Sequence, residues 1–152
     1  MSPSLEIKMI TAEETFLLRK NVLKPFLSHL EQCRNPGDDD DTTFHMGLFH
    51  SGKLISVATF LQESYIDFPA RLPYRLRGMA TDNDYRQQGF GQKLLRQGLV
   101  TLQERSCDLL WFNAREKAFP FYEKMGFEYY GPLFEMKDIG PHKVMYKVLI
   151  PS

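Results

Sequence analysis

Six consecutive residues, Arg86-Gln87-Gln88-Gly89-Phe90-Gly91, place two glycines one residue apart at the start of a helix-patterned run. The chemistry this suits is capture of a phosphate chain. Glycines let main-chain N–H groups approach an anion with no Cβ in the way, and the amides of a helix's first turn have no partner within the helix. The helix dipole adds roughly 0.3–1 kcal/mol for an anion held there. A strand-to-helix turn that binds nothing explains the same glycines, so the loop alone does not fix a function. A nucleotide-binding loop fits less well: no Lys-Ser/Thr pair follows Gly91, and no third glycine completes a dinucleotide fingerprint.

Other side chains are candidates by type. His142 follows Gly140-Pro141 in what reads as a turn, and an imidazole with an ordinary pKa of about 6.5 makes it a candidate base; a plain turn residue is the alternative. Glu63 and Glu135 are carboxylates whose direction nothing fixes. Arg75 and Arg77, two apart on a strand, face one side and suit a carboxylate acceptor or an exposed face equally. Arg19, from the first helix, is a further candidate for the acceptor side. His45 and His50, five apart on a strand, fall on opposite faces, and Cys33 and Cys107 lie in no metal-ligand spacing, so no metal is expected.

The elements that must position these groups follow from periodicity. Phe90, Leu94, Leu95, Leu99 and Leu102 share one helix face, with Gly98 a weak point. Leu76 to Thr81 reads as the strand entering the loop, and Gly78 within it as a bulge. Thr11 and Glu14 form a capping box that opens a helix running to about Leu23, before Pro25. Thr43 to Phe49 and Lys53 to Leu61 read as a hairpin turning at Ser51-Gly52. Asp108 to Phe112, apolar from Leu109 onward, reads as a central strand. A short helix from Lys117 to Met125 stops at Gly126. Phe127 to Tyr130 and Lys143 to Leu149 are the last strands, separated by turns at Gly131-Pro132 and Gly140-Pro141. The run Asp38 to Asp41 reads as a solvated loop, with attraction of a cationic amine or a peptide as the alternative. The pattern predicts an α/β (α+β) fold: a mixed sheet of six to seven strands, with helices on both faces.

The chain has 152 residues and a formal net charge of zero, which suits one domain over 1–152. It has no global field for nucleic acid or an anionic membrane. Two cysteines make a thin disulfide framework, and no apolar run reaches membrane-spanning or signal-peptide length, so a cytoplasmic protein with reduced thiols is expected.

With the loop placed between strand and helix, and with Ala118, Phe121, Tyr122, Gly126 and Phe127 following some thirty residues later, the chain resembles the GNAT superfamily of N-acetyltransferases over roughly Leu76 to Phe127. The family's phosphate loop is Q/R-x-x-G-x-G/A, and Arg86, Gly89 and Gly91 fill its specified positions. The tail residues Phe134, Ile139, Gly140, Pro141, His142 and Met145 look like a subgroup of small bacterial members of undefined acceptor.

The resemblance implies a mostly antiparallel sheet splayed at its centre, and acetyl-CoA as co-substrate. Met79, Ala80 and Thr81 would offer main-chain groups to the pantetheine arm, and the amides of Arg86, Gln87, Gln88, Gly89, Phe90 and Gly91 would hold the diphosphate. Tyr122 matches the family's general acid for the departing thiolate; a core tyrosine is the alternative. Many relatives carry an asparagine seven residues before that tyrosine. Here Arg115 stands there and Asn113 two residues earlier, so either is a candidate cofactor contact. The implied function is acetyl transfer to a primary amine of a small molecule or protein, with a small-molecule or peptide acceptor as partner, no nucleic acid, no membrane, and a homodimer left open. A non-catalytic acyl-CoA sensor is the alternative.

Overall fold

The computed structural model describes residues 4–150. Seven strands form one sheet: β1 (Leu5–Ile10), β2 (Phe44–His50), β3 (Lys53–Gln62), β4 (Pro73–Thr81), β5 (Leu109–Arg115), β6 (Glu128–Met136) and β7 (Gly140–Val148). Their spatial order is β1-β2-β3-β4-β5-β7-β6, and every neighbouring pair is antiparallel except β4 and β5. The mixed, mostly antiparallel sheet expected from the sequence is present.

That one parallel pair determines the site. β4 and β5 are in register only from Pro73 opposite Leu109 to Arg75 opposite Trp111. Beyond these three pairs the strands part, so Leu76 to Thr81 and Phe112 to Arg115 line two sides of an open gap. β4 also bulges against β3, where the register slips between Val57 and Thr59, and Gly78 sits in the left-handed region at φ +62°.

Helices cover both faces. α2 (Phe90–Glu104) packs Phe90, Leu94, Leu95 and Leu102 onto one face together with Phe60, Leu110 and Phe112, and α3 (Phe119–Lys124) adds Tyr122. Gly98, weak as a helix former, is needed for contact: a Cβ there would lie 2.3 Å from Phe60 Cζ. On the opposite face lies α1 (Ala12–Leu18), continued by a π-helical turn over Arg19–Leu23. Its capping box forms as expected: the Glu14 amide donates to Thr11 Oγ1 at 3.2 Å, and the Thr11 amide to Glu14 Oε1 at 2.9 Å. Farther along this face Tyr65 and Phe68 cover Trp111 and Val144. The β2–β3 hairpin turns at Ser51-Gly52, both with positive φ.

Three expectations are corrected. Gly131-Pro132 does not end a strand; β6 runs through it as a bulge, with a register slip between Tyr130 and Phe134, and the chain reverses at 137–139. His142 lies within β7 opposite Arg115, not in a turn. The aspartate run is not wholly solvated: Asp38 is 5% exposed. Its carboxylate receives two bonds from the equally buried Arg19, at 2.7 and 3.1 Å, and the Asn35 amide at 2.7 Å. Burial pushes Asp38 up, but the Arg19 guanidinium and that amide together hold it below its usual range. No helix among the described residues is long and apolar enough to cross a membrane.

Candidate active site

The gap between β4 and β5 is the centre of a cavity of about 570 Å³. On the α2 face it is bounded by the loop before α2. Gln87 and Gly89 both have positive φ, at +60° and +82°, and these two left-handed residues swing the main chain so that the loop rims the cavity. Among the described residues, no hydrogen bond engages the amides of Gln87 to Gln92; the first bonded amide of the helix is Lys93, which donates to Gly89 O at 3.1 Å. Gly91 lies where a Cβ would stand 3.2 Å from Thr81 Oγ1 and 3.7 Å from Phe121. Glycine there keeps open a slot between the loop, β4 and α3.

Tyr122 reaches the cavity from α3, its ring against Phe112 with centroids 4.4 Å apart. The only partner of its hydroxyl among the described residues is Met79 Sδ, a weak contact at 3.8 Å. Burial pushes the phenol well above its ordinary value, so it stays protonated at neutral pH.

His142 borders the cavity from β7. Its Nδ1 is 2.8 Å from Gly140 O. A carbonyl only accepts, so Nδ1 carries the hydrogen, and in the neutral ring Nε2 keeps its lone pair. Phe134 stacks on the imidazole with centroids 5.9 Å apart. Met79, Ala80, Thr81, Asn113 and Arg115 also line the cavity. Arg115 Nη2 donates to Leu23 O, whereas no hydrogen bond among the described residues engages the Asn113 side chain.

The α1 side is built around Arg19. Its guanidinium binds Asp38, Cys33 O at 2.9 Å and Thr59 Oγ1 at 2.7 Å, and lies under the bulge, with Nε 2.7 Å from where a Cβ of Gly78 would be. His45 closes the network: Nε2 donates to Asp38 O at 2.9 Å, and Nδ1 meets Thr59 Oγ1 at 2.7 Å. His45 and His50 are apart, as expected, since His50 packs on Tyr85 and Phe90. Arg75 pairs with Glu63 at 2.9 Å and lies over Trp111; Glu135 is exposed. Cys33 borders the cavity too, but burial pushes its thiol up, away from the reactive thiolate. Sequence reading missed Lys24, which lines the cavity at the end of the π-helical turn; nothing in its local spacing marks it.

The chain and its fold have counterparts among known proteins. The model of the acetyltransferase (GNAT) domain matches residues 44–129. This chain belongs to the GNAT acetyltransferases. It is 39% identical over 148 residues to the Bacillus subtilis (strain 168) protein described as uncharacterized N-acetyltransferase YitI, spanning 97% of this chain and 99% of that one. Two solved structures share the GNAT fold. FeeM, an N-acyl amino acid synthase from uncultured soil microbes, has a TM-score of 0.79 at 12% identity, covering 97% of this chain and 92% of its own. An aminoglycoside 6'-N-acetyltransferase complexed with coenzyme A has a TM-score of 0.72 at 13% identity, covering 97% and 98%. The chain is thus an acyltransferase of this family.

Proposed function

We propose that this GNAT protein moves an acetyl group from acetyl-CoA to a primary amine, by direct attack of the amine in the gap between β4 and β5. The observation that carries the reading is the loop before α2. Among the described residues its amides have no hydrogen-bond partner, and it opens onto the cavity that Tyr122 and His142 also line. The amides of Arg86 to Gly91 are the diphosphate site, and the parted edge of β4 at Met79, Ala80 and Thr81 takes the pantetheine arm. Of the two β5 candidates, Asn113 is the contact we assign, because Arg115 is committed to Leu23 O. A coenzyme A complex among the structural neighbours supports the same donor.

Acetyl-CoA supplies the acetyl group as a thioester and departs as a thiol; the remaining work falls to side chains. An alkylammonium with pKa of about 10.4 costs roughly 4.6 kcal/mol to neutralise at pH 7. His142 Nε2, with Nδ1–H tied to Gly140 O, takes that proton. Tyr122, kept protonated by burial, donates to the leaving sulfur. Cys33, an uncharged thiol, makes no covalent relay, so the amine attacks directly.

Thermal shifts with acetyl-CoA, coenzyme A, ATP and NAD test the donor, since only a ligand that prefers the folded state raises the midpoint. Stabilisation by either coenzyme A species, with thiol released on adding amines, is the expected result. A response to ATP or NAD but to neither coenzyme A species overturns the assignment.

A further inference from the structure

Among the described residues, seven Lys and Arg side chains and no Asp or Glu line the cavity, in a chain that carries 19 of each charge. Most of this positive charge is already spoken for. Arg86 is part of the loop, where the donor's phosphates belong, and Lys117 is exposed to solvent on the short helical turn after β5. Arg19 is neutralised by Asp38, Arg75 by Glu63, and Arg115 donates to Leu23 O. Lys24 and Arg77 remain, both half-buried, and among the described residues neither side chain has an ion-pair or hydrogen-bond partner.

Burial, with the Arg77 charge next in size, lowers Lys24; burial and then Arg75 lower Arg77. Neighbouring cations that have left water without an anion carry an electrostatic cost that a bound anion removes. That anion is not the donor's diphosphate. Arg77 precedes Thr81 by four residues, roughly 13 Å along a strand at about 3.3 Å per residue. It also pairs in register with Thr59, the residue that bonds Arg19 on the α1 side, so it lies at the far end of the cavity from the loop.

We propose that the acceptor is an amine that also bears a carboxylate, an amino-acid-like small molecule. Arg77 and Lys24 hold its carboxylate while its amine reaches the gap beside His142. This rests on the acetyl-transfer reading and narrows its acceptor class. Arg77 offers a planar fork suited to a carboxylate, and Lys24 adds a point charge from the facing turn. The same pair repels polyamines and other polycationic acceptors, whose added charges would enter a cavity with no carboxylate on its wall among the described residues.

The test compares acceptors that differ only in the carboxylate: a panel of α-amino acids against their carboxamides and decarboxylated amines, with spermidine as the cationic extreme, followed by thiol release from acetyl-CoA. The free acids should exceed their amides in kcat/KM by about 10- to 100-fold, the scale of a lost hydrogen bond to a charged group. Arg77→Gln should remove that preference by raising the acceptor KM while leaving the KM for acetyl-CoA unchanged. Lys24→Gln, at the end of a turn, should do the same more weakly if Arg77→Gln fails to fold. Amides or spermidine used as well as the acids, or a variant that slows acids and amides equally, overturns the proposal.

If no amine turns over, the N-acetylated acids and amides are titrated into the coenzyme A complex and read by thermal shift. Stabilisation by the acids that Arg77→Gln abolishes supports the carboxylate site, and an equal or absent response overturns it. Absence of coenzyme A binding itself overturns the donor reading instead, which keeps the two failures apart.

Discussion

The two ends of the cavity are made differently. At the loop end, around 86–91, the wall is main chain: unpartnered amides, two left-handed residues and a glycine slot beside Thr81. At the α1 end it is side chain: Arg19 clamped by Asp38 and Thr59, Arg75 by Glu63, and Lys24 and Arg77 with no partner among the described residues. A wall of amides recognises a diphosphate whatever its side chains are, so one loop pattern can serve many sequences. A wall of side chains depends on which residues occupy it and on what holds them, and it can change without disturbing the other end.

The largest effect should come from dismantling the side-chain end. Arg19→Met leaves the Asp38 carboxylate buried without its counterion, with only the Asn35 amide to hold it, and loss of one partner of such a pair costs about 3–5 kcal/mol. Urea unfolding would show it as a lower midpoint; a loss below about 1 kcal/mol would mean that this end does not rest on the pair. Next comes the chemistry between the two ends. Tyr122→Phe should lower kcat by about 10²-fold while calorimetry finds coenzyme A affinity unchanged; an unaltered kcat would remove Tyr122 as the general acid, and coenzyme A binding with no amine acetylated would move the protein from catalyst to sensor. His142→Gln should lower kcat by about 10²-fold with coenzyme A affinity unchanged, whereas loss of a purely structural histidine would lower the melting midpoint and leave kcat in place.

A smaller change tests the main-chain end. A Cβ at Gly89 meets nothing within 4 Å, so Gly89→Ala only charges the loop for its positive φ, roughly 1 kcal/mol. Coenzyme A should bind about fivefold more weakly, with acceptor KM untouched. If acceptor KM shifts as much as coenzyme A affinity, the two ends are not independent. The smallest effect concerns pH. Lys24 is lowered by burial, so between its folded value and about 10.4 the unfolded chain binds more protons, and stability rises with pH over that interval. Thermal melts across alkaline pH should show the rise in the native chain and its loss in Lys24→Gln, a difference below about 1 kcal/mol after solvent screening.

The same contrast explains what could be read from the sequence. The loop, the capping box at Thr11 and the turn at Ser51-Gly52 are local, each encoded by residues within six positions of one another. The side-chain end is not. Asp38 looks like one of four solvated aspartates because its counterion is 19 residues away and reaches it only after the π-helical turn brings Arg19 under the bulge of β4. Gly131-Pro132 carries a turn signal that a strand bulge also uses, and only pairing with β7 on both sides tells them apart. Gly98 reads as a flaw in the helix until Phe60 is placed against it. His142 was found by residue type while its setting in β7 was not, because the strand begins inside a Gly-Pro pair.

The three residue pairs that join β4 to β5 have a mechanical consequence. Among the described residues they are the seam of strand pairing that joins a four-stranded to a three-stranded half-sheet, next to the Asp108 amide that donates to Leu72 O, and beyond Arg75 and Trp111 the strands part into a wedge. A molecule spanning the wedge ties the halves together at a distance from the seam, where leverage is greatest. Hydrogen exchange at residues 73–75 and 109–111 should therefore slow when the wedge is filled, while amides deep in the β2–β3 hairpin keep their rates.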